Sequence, residues 1–483
     1  MLITDLIFIF LFLPVSLVLY YICPKKYREY ILLAVSLVFY ACGSADYFIL
    51  LIVSLAVNIA IGYAIVKCRT SISKRLFLIT GICYNIGLLG YYKYTDFALL
   101  TIGRLTGTEP VLKNLALPLG LSFFTFKAVS YLADVYKGKI IVQKNPVRAA
   151  VYLSFFAQIQ SGPLSRYGDM FQDNESDQNE KKGIRKRLQE TEVNVTEGIS
   201  RFIIGFNKKI LIANILANVV NEIFGTPSDQ VTVLYAWTGI ICYAVQLFFD
   251  FAGYSDMAIG ISRMFGYHCP ENFNYPYMTA SVAQFWRRWH MTLGNWFRDY
   301  IYFPLGGSRV KSKWLLYRNL FAVWMFTGIW HGASWNFICW GFGYFVAIAF
   351  EKATGLPDKL HSAAGRVIYR IFTLLFILFQ WVLFRAEGLK CALRYLKNMF
   401  LGAVNATIDA RALFLIRDNL FFILLGIVLC FPVMPWLERK LGQSKCGQML
   451  WKAGFVLVNG FLFLWAVSYV VAGQNNPFAY AFF

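Results

Sequence analysis

Residues 453–472 read "AGFVLVNGFLFLWAVSYVVA", twenty successive positions without a charge. At about 1.5 Å of rise per helical residue this run is about 30 Å long, the thickness of a bilayer's hydrocarbon core. Comparable stretches recur along the chain. The clearest others occupy 6–22, 47–66, 76–92, 231–251, 336–350, 371–384 and 413–433. Shorter or more interrupted ones lie at 30–42, 117–135, 149–160, 198–220 and 314–330. Between the strict and the generous count, the pattern predicts an all-α polytopic membrane protein with about 11 transmembrane helices.

Composition agrees and excludes other classes. Hydrophobic residues make up 58% of the 483 positions, charged residues 15%, and mean hydropathy is +0.53, far from a soluble domain. The first apolar run starts at residue 2 with neither a basic leader nor a small-residue cleavage site, so a retained first helix is expected. The net charge of +20 is scattered between apolar runs, as positive-inside loops require, and does not indicate a nucleic-acid partner. Ten cysteines without a C-x-x-C pair read as small apolar residues, and no metal site or bound cofactor is expected.

Loop charges orient the chain. Lys25, Lys26 and Arg28 follow the first run, which puts the N-terminus outside; Lys67, Arg69, Lys74 and Arg75 mark a second cytoplasmic turn. The polar stretch 164–197, with "KKGIRKR", reads as a cytoplasmic loop. Arg439, Lys440, Lys445 and Lys452 precede the last run, which sends the uncharged tail 473–483, with Tyr480, to the extracytoplasmic face. One stretch resists. Simple alternation places 385–411 outside, yet it holds Arg385, Lys390, Arg394, Lys397 and Arg411, so a re-entrant span or a miscount by one is expected there. With no repeat and no soluble module, 1–483 reads as a single transmembrane domain.

Ionisable groups inside apolar sequence mark functional candidates. "FFDFAGYSDMAIG" (248–260) carries Asp250 and Asp256, six apart and on different helix faces. Hydrogen bonding to neighbouring helices suits them better than paired-carboxylate catalysis. "QFWRRWHMTLGNWFRDYIYFPLGGSR" (284–309) sets His290 among Arg287, Arg288 and Arg298, fixed cations suited to a phosphorylated donor, with Trp286, Trp289 and Trp296 as an interfacial belt. "WLLYRNLFAVWMFTGIWHGASWNF" (314–337) carries His331 eighteen residues beyond Lys313, about 27 Å along a helix and so deep in the membrane. Gly328, Gly332 and Ala333 let another chain or a substrate come close, and a neutral imidazole at that depth offers a lone pair as a base. No histidine is followed by Asp at the fifth position, and H-E-x-x-H and Walker A patterns are absent. On these residues alone a transporter also remains open.

These clusters resemble the membrane-bound O-acyltransferase family, in its bacterial alginate O-acetyltransferase branch. The likeness runs through "FFTFKAVSYLADVYKGK" (123–139), "QSGPLSRYGDM" (160–170), "FDFAGYSDMAIGISRMFGY" (249–267), "FNYPYMTASVAQFWRRWHMTLGNWFRDYIYFPLGG" (273–307), "FTGIWHGASWNFICWG" (326–341) and "NPFAYAFF" (476–483). It implies a ring of helices around a thinned centre with a conduit, in the bacterial plasma membrane. It implies acetyl transfer from a cytoplasmic thioester, acetyl-CoA, to a hydroxyl of a cell-envelope or exported polysaccharide, completed by an extracytoplasmic partner of SGNH hydrolase type. His331 matches the family's essential histidine and His290 a second motif histidine. On that basis His331 is the expected general base, His290 or Asn336 supports the oxyanion, and Tyr480 is an acyl carrier whose phenol is easier to deprotonate than a sugar hydroxyl. The tail departs from the branch's F-I-Y-F-x-F in having Ala479 and Ala481 beside Tyr480. The nearest rival is D-alanyl transfer to teichoic acid, whose enzymes take the tyrosine tail from a separate small protein.

Overall fold

The computed structural model describes residues 1–140, 146–175, 184–403 and 407–478, with backbone alone over 172–175 and 184–188. All regular structure among them is helical. Among the described residues seven helices have the length and apolarity to cross a membrane: Ala45–Lys67, Ser71–Thr106, Gln189–Gly225, Val233–Met264, Ala363–Arg385, Ala410–Leu429 and Lys445–Val471. The remaining apolar runs form shorter or more polar helices, among them Phe8–Ile22, Arg28–Gly43, Leu121–Tyr136, Lys313–His331 and Trp335–Thr354. The polar stretch 164–197 is largely helical where described, over Tyr167–Glu175 and from Ile184 into the span that follows. Its Arg, Lys, Gln and Glu residues are good helix formers, and no proline interrupts them.

By internal packing the described residues group into two units, one built from Met1–Phe202 and Tyr254–Glu271, the other from Ile203–Gly253 and residues 272–478. In the first unit, Asn58 and Asn85 exchange amide hydrogen bonds of 3.2 and 2.7 Å between adjacent spans. Buried Lys127 donates to the Tyr152 carbonyl (3.1 Å) and to Gln158 Oε1 (2.8 Å). Asp256 takes Arg201 at 2.8 Å, and the same guanidinium reaches Glu271 at 2.6 Å.

The second unit carries the histidine motifs. Helices Lys313–His331 and Trp335–Thr354 form a hairpin whose closeness depends on glycine. A Cβ on Gly328 would stand 2.6 Å from the Phe337 carbonyl oxygen, and one on Gly341 would stand 2.5 Å from that of Trp324. Between Pro276 and Tyr302 the chain runs through short helical pieces, Val282–Trp286 and Met291–Phe297 among them. The stretch 385–411 holds no further crossing among its described residues, only the 13-residue helix Leu389–Leu401. Arg385 donates to Asn221 (3.0 Å), Arg411 pairs with Glu222 (3.2 Å), and Asn214 donates to the carbonyl of Gln474 (2.8 Å). Within this unit Arg385 and Arg411 thus meet the same segment, residues 214–222, as the start of the C-terminal tail.

Candidate active site

His331 is the last residue of its helix, and the chain continues through extended Gly332. Its ring is 2% exposed and walled by aromatic rings, with centroids of Trp330 at 4.6 Å, Trp340 at 4.8 Å and Phe384 at 5.0 Å. Two of these walls are set by Asn336. It lies one helical turn before Trp340 on the same helix, and its Nδ2 donates to the carbonyls of Leu383 and Ala386, both at 3.0 Å. That pair of bonds fastens the end of helix Ala363–Arg385, which carries Phe384. Both amide hydrogens of Asn336 are engaged, so the side chain positions the site's wall and has no hydrogen left to offer an oxyanion.

His290 is the N-cap of helix Met291–Phe297 and adopts φ +45°, a left-handed conformation uncommon for a residue with a Cβ. Asn272 holds it there. The Asn272 carbonyl accepts Met291 N–H at 2.9 Å, and its Oδ1 accepts the Thr292 hydroxyl at 2.8 Å and the Thr292 N–H at 3.4 Å. An atom that accepts a backbone N–H is the oxygen, so the 3.0 Å contact with His290 Nδ1 makes Nδ1 the donor. The neutral ring then carries its lone pair on Nε2. Outside the long spans, burial pushes the His290 imidazole down to about 3, so the neutral form prevails. The Phe251 ring meets it edge-on at 4.6 Å and Trp330 lies 6.5 Å away. Trp330 therefore touches both imidazoles, and the two histidines share one aromatic cluster.

The remaining sequence candidates fare differently. Arg287 and Arg298 are exposed and Arg288 is half-buried; Arg298 binds its neighbour Asp299 at 3.0 Å. Trp289 and Trp296 are buried instead of forming an interfacial belt, and Trp286 packs against Trp324 and Tyr344, each at 4.9 Å. The short helices fold these rings inward, where Trp289 stacks on Phe285 at 5.5 Å and meets Trp381 at 5.0 Å. Tyr480 lies outside the described residues. Among those residues no three His, Cys, Asp or Glu side chains gather as metal ligands.

Two positions escaped the sequence reading. Buried Glu351 accepts the N–H groups of Val282 (2.7 Å) and Ala283 (2.9 Å) and the Tyr369 hydroxyl (2.8 Å). It thereby caps the short helix that leads to His290. Lys209 forms a buried ion pair with Asp250, the residue before Phe251. A lysine inside the apolar stretch 198–220 was a legible signal; Glu351, near a helix end in sequence, gave none.

Helices long and apolar enough to cross a membrane, together with a buried pair of imidazoles, define a polytopic membrane protein with two histidines held away from water. The membrane-bound O-acyltransferase family model matches residues 137–389, a stretch containing both histidines, and the chain belongs to that family. It is 39% identical to the probable alginate O-acetylase AlgI of Pseudomonas aeruginosa over 82% of this chain and 74% of that protein. It is 33% identical to the peptidoglycan O-acetyltransferase of Helicobacter pylori over 96% and 95%. A teichoic acid D-alanyltransferase of Bacillus subtilis is 32% identical over 57% of this chain and 70% of its own length. The protein is a multi-pass membrane enzyme, an O-acyltransferase.

Proposed function

We propose that this enzyme moves acetyl from a cytoplasmic thioester, acetyl-CoA, across a bacterial plasma membrane for O-acetylation of a cell-envelope or exported polysaccharide. The observation that carries the reading is the pair of buried imidazoles on one aromatic cluster, with Trp330 neighbouring both. His331 takes the proton from an attacking hydroxyl as the oxygen adds to the thioester carbonyl. Collapse of the tetrahedral intermediate breaks the C–S bond, and the imidazolium returns its proton to the leaving thiolate. His290 supports the developing oxyanion or the proton transfer, while Asn336 keeps the wall of His331 in place. Arg287, Arg288 and Arg298 meet the phosphates of the donor. The first acceptor is the phenol of Tyr480, and its aryl ester passes acetyl to the polymer with an extracytoplasmic hydrolase-fold partner. Acetyl is preferred over D-alanyl because the relatives named for acetylation match more of the chain, up to 96%, than the D-alanyltransferase, at 57%.

Membranes carrying His331→Ala, supplied with radiolabelled acetyl-CoA, should lose label transfer to polymer by at least 10³-fold while the protein keeps its detergent elution profile. Unchanged transfer overturns the assignment. Tyr480→Phe keeps the aromatic ring and removes the nucleophile; polymer acetylation at the wild-type rate overturns the carrier role. Transfer of D-alanyl in place of acetyl overturns the donor.

A further inference from the structure

We infer that Lys209, with Asp250 and Asn214, forms an internal socket that binds the tail segment Gln474–Phe478 and sets its position against the His290 side of the site. Lys209 opens out from a π-helical turn, Lys208–Asn214, and is 2% exposed. An ammonium has three N–H donors, and each must find an acceptor when water is removed. Asp250 Oδ1 takes one. The tail contributes two more contacts: the Pro477 carbonyl at 3.3 Å and the face of the Phe478 ring at 4.6 Å. Five residues along the helix, Asn214 Nδ2 donates to the Gln474 carbonyl at 2.8 Å, and Asn218 reaches Gln474 Oε1 at 3.4 Å.

Burial along the tail is concentrated at one ring: residues 471–474 and 477 are exposed, whereas Phe478 is 3% exposed. A ring serving only as a lipid anchor would face outward. This one is turned into the protein onto a buried cation.

The socket is wired to the histidine side by one peptide link. Asp250 holds Lys209, and the next residue, Phe251, lies edge-on to His290 at 4.6 Å. Any displacement of Asp250 on helix Val233–Met264 is therefore felt at both the tail and His290. The consequence for transfer rests on the carrier reading of Tyr480 given above; the docking itself does not. Lys209 acts here as a positioning residue.

The test uses the full-length protein in nanodiscs, digested with a carboxypeptidase and followed by mass spectrometry of the C-terminal peptide. Lys209→Met should speed removal of residues through position 478 by at least tenfold. Because that change leaves Asp250 buried alone, Lys209→Met/Asp250→Leu is measured beside it, and Asn214→Ala, which deletes only one tail bond, should speed trimming about threefold. Lys209→Arg should stay near wild type. For transfer, Lys209→Met/Asp250→Leu should lower kcat at least tenfold with KM for the acetyl donor unchanged, and should add nothing in a chain lacking residues 474–483. Trimming at wild-type rate in both Asn214→Ala and the double variant overturns the socket. Faster trimming beside a silent Tyr480→Phe keeps the socket and removes the carrier reading instead.

Discussion

Glu351 offers the sharpest test of how the site is built. Its carboxylate accepts two backbone N–H groups at the start of helix Val282–Trp286 and the Tyr369 hydroxyl, all between 2.7 and 2.9 Å. Hydrogen bonds to a charged group contribute about 1.5–3 kcal/mol each, and a buried donor left without an acceptor costs about 1–3 kcal/mol. Glu351→Gln keeps the shape but turns one acceptor into a donor facing a donor. We expect about 2–4 kcal/mol of destabilisation, at the scale of one lost charged bond with one donor stranded. Tyr369→Phe removes only one donor to the carboxylate and leaves none stranded, and should cost about 1.5–3 kcal/mol. The assay is equilibrium unfolding in detergent beside acetyl transfer under saturating donor. Because the capped helix leads within a few residues to the strained His290 backbone, Glu351→Gln should lower kcat more than it raises KM. Stability within 0.5 kcal/mol of wild type together with full activity would refute the argument that this carboxylate holds the segment.

Other consequences are measurable in the same preparations. His290 is neutral when folded and protonates only when unfolded at pH below about 6.5, so its contribution is complete above that pH and falls toward pH 3 by about 1.4 kcal/mol per unit. Melting curves between pH 7 and 5 should show this slope for wild type and a shallower one for His290→Gln; equal slopes would reject it. Asn336→Ala loses two bonds to carbonyls, worth about 1 kcal/mol each, and should slow transfer by loosening Phe384 without altering donor KM. Gly341→Ala forces a methyl into the Trp324 carbonyl and should destabilise the hairpin by at least 1–3 kcal/mol in a thermal shift assay, whereas Gly454→Ala, facing open space, should be neutral or slightly stabilising.

The fold class was legible because bilayer thickness imposes run lengths that no packing detail can disguise. The stretch 198–220 looked weak because Asn207, Lys209 and Asn214 interrupt it, yet it lies in one of the longest spans, Gln189–Gly225. Those polar groups are paired inside the protein, a fact that hydropathy cannot register. The separation of Asp250 from Asp256 followed from helical periodicity, and the two carboxylates do meet different cations, Lys209 and Arg201. The tryptophans of 284–309 were misjudged for a related reason. A ring suited to an interface is equally suited to a core, and only the course of the short helices decides between them. His331 was singled out by its distance along the helix from Lys313, and His290 by the arginines beside it. Their shared neighbour Trp330, the tautomer fixed by Asn272 and the cap from Glu351 depend on contacts between distant segments and leave no local pattern.

The tail socket also has a place in time. Lys209 and Pro477 are 268 residues apart. At translation rates of about 5–20 residues per second, roughly 13–54 s separate their synthesis. Asp250 follows Lys209 by 41 residues, but for most of the interval Lys209 has neither the Pro477 carbonyl nor the Phe478 ring. Residues made after every long span therefore complete the surroundings of a lysine made before most of them. A chain halted before residue 474 would carry both histidines and every long span, yet Lys209 would lack the Pro477 and Phe478 contacts. Docking of the tail thus leaves a chemical mark at Lys209 by which a chain with the segment in place differs from one without it.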